Sequence, residues 1–386
     1  MVSTSDPEVE VALEPEAAPE PKVEVEPAEA EATADVAEPT SEPDENVAAP
    51  PPPEPPVELT AAPVERPPRR RAKVALLVGL FGLAAILVAF SAWYIVYRKP
   101  VTALPIPGLA IEPMPGYGYS FYGPVRPTGI AVTADGSRIY ATQSEGEAAV
   151  FVYDNRGELL ATMAPPDTAT DHVFVYVAVH PLTGEVYVSD RPIGAIHVYS
   201  ADGDYLREFE PPASLAGWQP LGLGFDPAGH LFVTNAGIGA IHEFDAAGVL
   251  LRTIGGAGEF SFPNAAVQDS AGRIYIADSN NGRVVVLGAD GAQLSVIGRG
   301  PGEGDVGLPR GMAVDDEDRV YVVDSVDHSV KVYRPADDGS LTFVGRFGDP
   351  GIGDGNFQFP NAVATDARGR VYVADWNNNR VQVWSY

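Results

Sequence analysis

The sequence predicts an all-β fold, a six-bladed β-propeller, from three observations. First, an aromatic residue within an apolar run recurs every 43 to 51 residues, at Tyr140, Tyr187, Phe232, Tyr275, Tyr321 and Tyr372. Second, each repeat divides into short runs of β-branched and aromatic residues that turn residues separate. Third, several of these runs are apolar on consecutive positions, so both faces of their sheets need cover. Repeats of this length with four strands each are typical of propeller blades.

The fourth repeat shows the strand pattern most clearly. We predict its strands at residues 264–267, 274–277, 283–287 and 293–297, with turns rich in Asp, Asn, Ser and Gly between them. The segments between turns are too short for helices. The run VVVL at 284–287 has no polar position, which indicates a strand covered on both sides.

The sixth repeat has only three predicted strands, at 361–364, 371–374 and 380–384, before the sequence stops at Tyr386. Residues 110–127, which precede the first repeat, contain an aromatic segment like the end of a repeat. We therefore expect this N-terminal segment to supply the outer strand of the sixth blade. Such a pairing would close the ring and cover an exposed sheet edge.

The linkers between repeats carry a recognisable pattern. Gly-rich segments at 298–304 and 348–351 lead to Leu-Pro at 308–309 and Phe-Pro-Asn at 359–361, and VYVADWNNNRV follows at 371–381. These motifs resemble NHL repeats over roughly residues 105 to 386. The resemblance implies a six-bladed NHL propeller over 108–386. The whole arrangement is similar to the extracytoplasmic sensor domain of bacterial receptor kinases, here without a kinase domain.

The N-terminal region divides by charge. Residues 1–65 carry 18 Asp or Glu against the single basic residue Lys22, which predicts a disordered acidic tail. This tail is either simply solvated or docks a basic cytoplasmic partner. The basic segment 66–73 precedes 24 uncharged residues, 74–97, which are long enough for a single transmembrane helix. The basic excess before this uncleaved signal anchor predicts a cytoplasmic N-terminus, and an extracytoplasmic propeller after the short linker 98–107.

Composition excludes several function classes. The chain has no cysteine, and therefore no disulfide, thiolate metal site or cysteine nucleophile. Residues 101–386 hold 35 acidic and 17 basic side chains, so the basic surface that nucleic-acid binding requires is absent. The histidines have no metal-ligand spacing, and we predict neither catalytic nor metal-binding residues among them. They are His172, His180, His197, His230, His242 and His328.

The candidate ligand site is the rim, the propeller face on which the second strands end and the linkers enter each blade. We expect the polar residue that ends each second strand either to stabilise a tight turn, by accepting N–H bonds from the next residues and pairing with a following Arg, or to bind a ligand. The predicted rim residues are Asp190, Asn235, Asp278, Asp324, Asp375, Trp376, Arg310 and Asn361, with Gln143, Arg126 and Asn264 nearby. An acidic rim favours a basic peptide or a divalent cation, and we predict no other cofactor.

These features favour a binding or sensor module for a peptide, a protein or a cell-envelope ligand. One alternative is a metal-dependent lyase or hydrolase with its site at the channel mouth, and another is a structural scaffold for envelope proteins. The acidic run at 315–318 either binds calcium or, as we prefer, forms a solvated turn.

Overall fold

The computed structural model describes residues 81–88, 113–168, 171–215, 217–256 and 258–386. The predicted acidic tail, basic segment and linker, and most of the predicted membrane helix at 74–97, lie outside the described residues. Residues 81–88 are helical, with exposed side chains. Among the residues described, no helix combines the length and the apolar character that a membrane crossing requires, so the membrane segment stays a prediction.

Twenty-four strands in the described residues form six four-stranded antiparallel sheets, the blades of a propeller. Before the first complete blade comes β1 (Gly116–Tyr122). Blade 1 contains β2 (Pro127–Val132), β3 (Ile139–Gln143), β4 (Ala149–Tyr153) and β5 (Leu159–Met163); blade 2 contains β6 (Phe174–Val179), β7 (Val186–Asp190), β8 (Ala195–Tyr199) and β9 (Tyr205–Glu208). Blade 3 contains β10 (Pro220–Phe225), β11 (Leu231–Asn235), β12 (Ala240–Phe244) and β13 (Leu250–Gly255); blade 4 contains β14 (Pro263–Gln268), β15 (Ile274–Asp278), β16 (Arg283–Leu287) and β17 (Gln293–Ile297). Blade 5 contains β18 (Pro309–Val314), β19 (Val320–Asp324), β20 (Ser329–Pro335) and β21 (Leu341–Phe347); blade 6 contains β22 (Pro360–Thr365), β23 (Arg370–Asp375) and β24 (Arg380–Ser385).

The blades surround a central channel that the first strands line. Each first strand contacts the first strands of the two neighbouring blades, and the circle closes between β22 and β2. The second and third strands are buried on both faces, whereas fourth strands such as β5 and β9 are mostly exposed. The recurring aromatic residues lie in the second strands and fill the space between blades; Tyr275 and Tyr321, for example, are fully buried. The six-bladed, all-β prediction is confirmed.

The N-terminal strand completes blade 6. Strand β1 pairs antiparallel with β24, so the sheet order is β1, β24, β23, β22. Its residue Phe121 is 5% exposed and packs against Tyr153 of blade 1, with 4.6 Å between the ring centroids. The strand thus holds the last blade against the first, which is the closure expected from the missing fourth strand.

Glycines let the first strands approach each other at the channel mouth. Gly129 and Gly311 are each the third residue of a first strand, in blades 1 and 5. A Cβ atom at Gly129 would lie 2.7 Å from the Cα of Tyr176 in blade 2, and one at Gly311 would lie 2.5 Å from the Cα of Ala362 in blade 6. Side chains of any size are excluded there, and the mouth is narrow.

Candidate functional site

The polar residues that end the second strands bind the linker that enters their own blade. The Asp278 Oδ1 accepts the N–H of Ser261 at 2.7 Å, and its Oδ2 accepts Arg283 Nε at 2.6 Å. In blade 6, Asp375 Oδ1 accepts the N–H of Gln358 at 2.8 Å, and Oδ2 accepts Arg380 Nε at 2.8 Å. The N–H donors lie 17 residues upstream instead of in the following turn. We call this contact the linker latch.

The latch recurs in the other blades with different chemistry. In blade 5, Asp324 accepts the N–H groups of Gly307 and Leu308 and pairs with Lys331 at 3.2 Å. In blade 3, Asn235 accepts the N–H of Gln219 at 3.1 Å, and in blade 1, Gln143 accepts that of Val125 at 2.9 Å.

Because Arg283, Lys331 and Arg380 neutralise three of the carboxylates, the rim is less acidic than its sequence indicates. Asp190, Asn235, Asp278, Asp324 and Asp375 are all buried. These five side chains are therefore held in structural contacts: the pairing Arg was correctly expected at Arg283 and Arg380, whereas the backbone N–H donors to Asp278 and Asp375 lie in the linkers and not in the next residues. A ligand could reach them only by displacing the bonds of the latch.

The channel mouth is closed by polar side chains of the first strands. Asn361 Nδ2 donates to the carbonyl of Thr128 at 2.6 Å, and the Tyr176 hydroxyl donates to Asn264 Oδ1 at 3.3 Å. Burial raises the pKa of Tyr176 to about 12, although the positive charge of Arg310 and a bond from Asn361 oppose the shift. The hydroxyl is therefore neutral and available as a donor at neutral pH.

Arg310 differs from the latch cations. Its Nε atom is buried and has no hydrogen-bond partner among the described residues. A guanidinium carries five N–H donors and no acceptor, so an unpaired one can bind a carboxylate or a phosphate through two parallel bonds. Of the predicted site residues, Arg310 and Asn361 are the two that the structure brings together around Tyr176 at the channel mouth.

Trp376 opens the short 3₁₀ helix Trp376–Asn378, directly after β23. The guanidinium of Arg126 lies 4.7 Å from the centroid of the indole ring, and the N–H of Arg126 donates to Asn379 Oδ1 at 2.9 Å. Since Arg126 belongs to the segment between β1 and β2, one face of the indole already serves ring closure. Trp376 is half-buried instead of freely exposed.

A cavity of about 510 Å³ opens on the rim of blade 5, beside the linker that enters this blade. The Gly-rich linker 299–307 forms one wall, and the turn after β19 forms another. Charged side chains of both signs line it, namely Arg299, Arg346, Lys331, Glu303, Asp305, Asp324 and Asp327. The sequence pointed to this linker, but not to a cavity beside it.

Blade 2 contains a cluster that the sequence reasoning missed. His172 Nδ1 lies 2.5 Å from Asp190 Oδ2, and His197 Nε2 lies 3.3 Å from the same oxygen. Burial disfavours the charge of Asp190, but the hydrogen bonds from His197, His172 and the Val173 N–H hold its pKa below the usual value. One sequence signal could have revealed the cluster. The third residue of the third strand faces the latch residue in blades 2, 3, 5 and 6, and in blade 2 this residue is His197.

Comparison with known proteins agrees with the fold. The NHL repeat model matches residues 260–287, 307–333 and 357–384. A solved structure of streptogramin B lyase is 14% identical, with a TM-score of 0.52 over 69% of this chain and 96% of that chain. Virginiamycin B lyase from Staphylococcus aureus is 12% identical, with a TM-score of 0.51 over 69% and 98%. A structural genomics protein of unknown function from Bacteroides thetaiotaomicron is 17% identical, with a TM-score of 0.53 over 71% and 72%.

Comparison with curated proteins gives no match. At identities this low, the likeness to solved structures shows the fold alone. The three matched segments coincide with the first three strands of blades 4, 5 and 6. The chain is therefore a six-bladed β-propeller that carries NHL repeats.

Proposed function

We propose that this protein is a membrane-anchored, extracytoplasmic binding or sensor module that captures a peptide, a protein or a cell-envelope ligand on its rim. The observation that carries the proposal is the 510 Å³ cavity on the rim of blade 5, whose walls are a long linker and a turn. Ligand sites concentrate on such loops when a rigid scaffold positions them. The NHL propeller fold also supports a protein-binding role, because its rigid blades position the linkers and turns of the rim.

Two arginines of the cavity are placed to bind a peptide with acidic groups, although four carboxylates line the cavity as well. The latch neutralises Asp324 through Lys331, whereas Arg299 and Arg346 present exposed guanidinium groups, that of Arg346 beside Asp349 at 3.2 Å. Carboxylates of an extended peptide could therefore pair with Arg299 and Arg346 at the cavity. The acidic ligand is proposed for this cavity, whereas the preference of the whole rim for a basic peptide or a divalent cation stays a prediction.

A peptide-display selection with the full-length protein in detergent tests this proposal. We expect it to enrich acidic peptides, and we expect the double variant Arg299→Glu with Arg346→Glu to bind the enriched peptides at least roughly tenfold more weakly. The matched control is Arg156→Glu with Arg368→Glu, which changes charge equally at exposed turns on the opposite face. No enrichment, or an equal loss in the control, would refute the proposal.

The proposed anchor is the segment 74–97, with the tail 1–65 in the cytoplasm, where it is free to recruit a basic partner. Five basic residues before the segment and two after it support this orientation. Protease added to intact cells should digest the propeller and leave an epitope on the tail uncut. Digestion of the tail, or release of the protein by alkaline carbonate, would contradict the anchor.

A further inference from the structure

We propose that His172, Asp190 and His197 bind one divalent transition-metal cation, for which zinc is the probe. The ion would tie the linker before blade 2 to the third strand of that blade. Nothing in the proposed rim function requires this site.

Asp190 is the one latch aspartate without a fixed cation in the described part of the chain. Asp278 pairs with Arg283, Asp324 with Lys331 and Asp375 with Arg380. The carboxylate of Asp190 is fully buried, and its only ion-pair partners within the described ranges are the two histidines. A buried carboxylate is strongly destabilised unless a positive charge is supplied, and a metal ion held by neutral histidines supplies it.

The ligand atoms of the three residues need to move only slightly to fit a tetrahedral zinc site. One ligand atom from each of the three residues lies within 4.8 Å of the others. Zinc bonds of about 2.1 Å in a tetrahedral site separate neighbouring ligand atoms by roughly 3.4 Å. The separation of 3.3 Å between His197 Nε2 and Asp190 Oδ2 already fits, and His172 Nδ1 needs to retreat by about 1 Å from its present 2.5 Å.

The surroundings also match a metal centre. Asp167 Oδ1 lies 3.6 Å from His172 Nε2, the ring nitrogen that faces away from Asp190. His172 Nε2 makes no hydrogen bond within the described residues, and Asp167 is the carboxylate placed to orient this histidine and fix its tautomer once the ring shifts to bind a metal. The two imidazoles and one carboxylate suit zinc and similar divalent ions.

The site is structural because no substrate could reach it. The side chains of His172, Asp190 and His197 are 4%, 0% and 2% exposed. The corresponding histidine of blade 3, His242, faces the neutral Asn235 at 3.2 Å and Thr253 at 3.0 Å. It has the same strand position but neither carboxylate nor second histidine, and therefore serves as an internal control.

Metal retention tests the proposal. The full-length protein in detergent is stripped with a chelator, loaded with zinc and desalted, which removes ions held weakly by the acidic tail. We expect about one zinc per chain, and a loss of more than roughly tenfold in retention for His172→Ala and for His197→Ala. His242→Ala should retain zinc as the unchanged protein does.

Two further measurements keep the test decisive if an alanine variant fails to fold. Cobalt(II) added to the unchanged protein should give visible absorption bands of a nitrogen- and oxygen-ligated ion, and Asp167→Asn should weaken zinc binding roughly tenfold without abolishing it. Absence of the cobalt bands, retention far below one equivalent, or equal retention in His172→Ala and His242→Ala would overturn the proposal.

Discussion

At the residue scale, the turn between the first and second strands of blades 4, 5 and 6 depends on a buried Asp–Arg pair. In blade 5, Asp315 Oδ1 accepts the N–H groups of Glu317 and Arg319, and Oδ2 accepts Arg319 Nε at 2.6 Å and the Tyr321 hydroxyl at 2.8 Å. The acidic run 315–318 is therefore built as a turn, with the carboxylate of Asp315 directed at internal donors. Asp269 and Asp366 make the same contacts with their own Arg and Tyr.

Replacing Arg319 by Met should lower the free energy of unfolding by about 3–5 kcal/mol, because the buried carboxylate of Asp315 then has no cation. The guanidinium also lies 3.9 Å from the centroid of the Tyr386 ring. Urea denaturation measures the change. Arg368→Met is the control, since Arg368 is exposed in the equivalent turn of blade 6, and it should change stability by less than about 0.5 kcal/mol. Equal changes in the free energy of unfolding for the two variants would show that the Asp315–Arg319 pair does not stabilise the fold.

At the element scale, the closing strand β1 contributes core packing as well as hydrogen bonds. Phe121→Ala should destabilise the fold by about 3–5 kcal/mol, because it leaves a cavity against Tyr153. Leu159→Ala, in the exposed fourth strand of blade 1, should have little effect because Leu159 is 54% exposed. Thermal or urea unfolding of the two variants makes the comparison. A Phe121 variant as stable as the Leu159 variant would mean that β1 contributes no core packing to the blade.

The strands could be predicted because the sequence pattern that specifies each strand lies within a few consecutive residues. In blade 4 the predicted runs differ from the observed strands by no more than one residue at any end. The latch could not be predicted, since Asp278 bonds to Ser261 across an entire strand and its turn. The cluster of His172, Asp190 and His197 was missed for the same reason: its members are brought together by a linker, a second strand and a third strand, and their spacing in sequence matches no metal motif.

At the scale of the whole molecule, the six blades form a closed ring. The first strands touch their neighbours around the full circle, and β1 from the N-terminal side joins β24 at the other end of the described chain. Closure covers the edge of β24 in blade 6 and fixes the linkers that form the rim. If the ring were open, neither the channel mouth nor the cavity on the rim of blade 5 would have a defined shape.

An engineered disulfide tests closure most directly, since the chain has no cysteine of its own. Gly116 and Ser385 are paired across β1 and β24, and both are exposed. The double variant Gly116→Cys with Ser385→Cys should form an intramolecular disulfide on mild oxidation of the native protein and should then melt at a higher temperature than its reduced form. The pair Gly116→Cys with Glu147→Cys, whose second cysteine lies on the opposite face, should stay reduced. A Gly116–Ser385 pair that stays reduced, or that forms disulfides no faster than the control, would contradict the closed six-bladed ring.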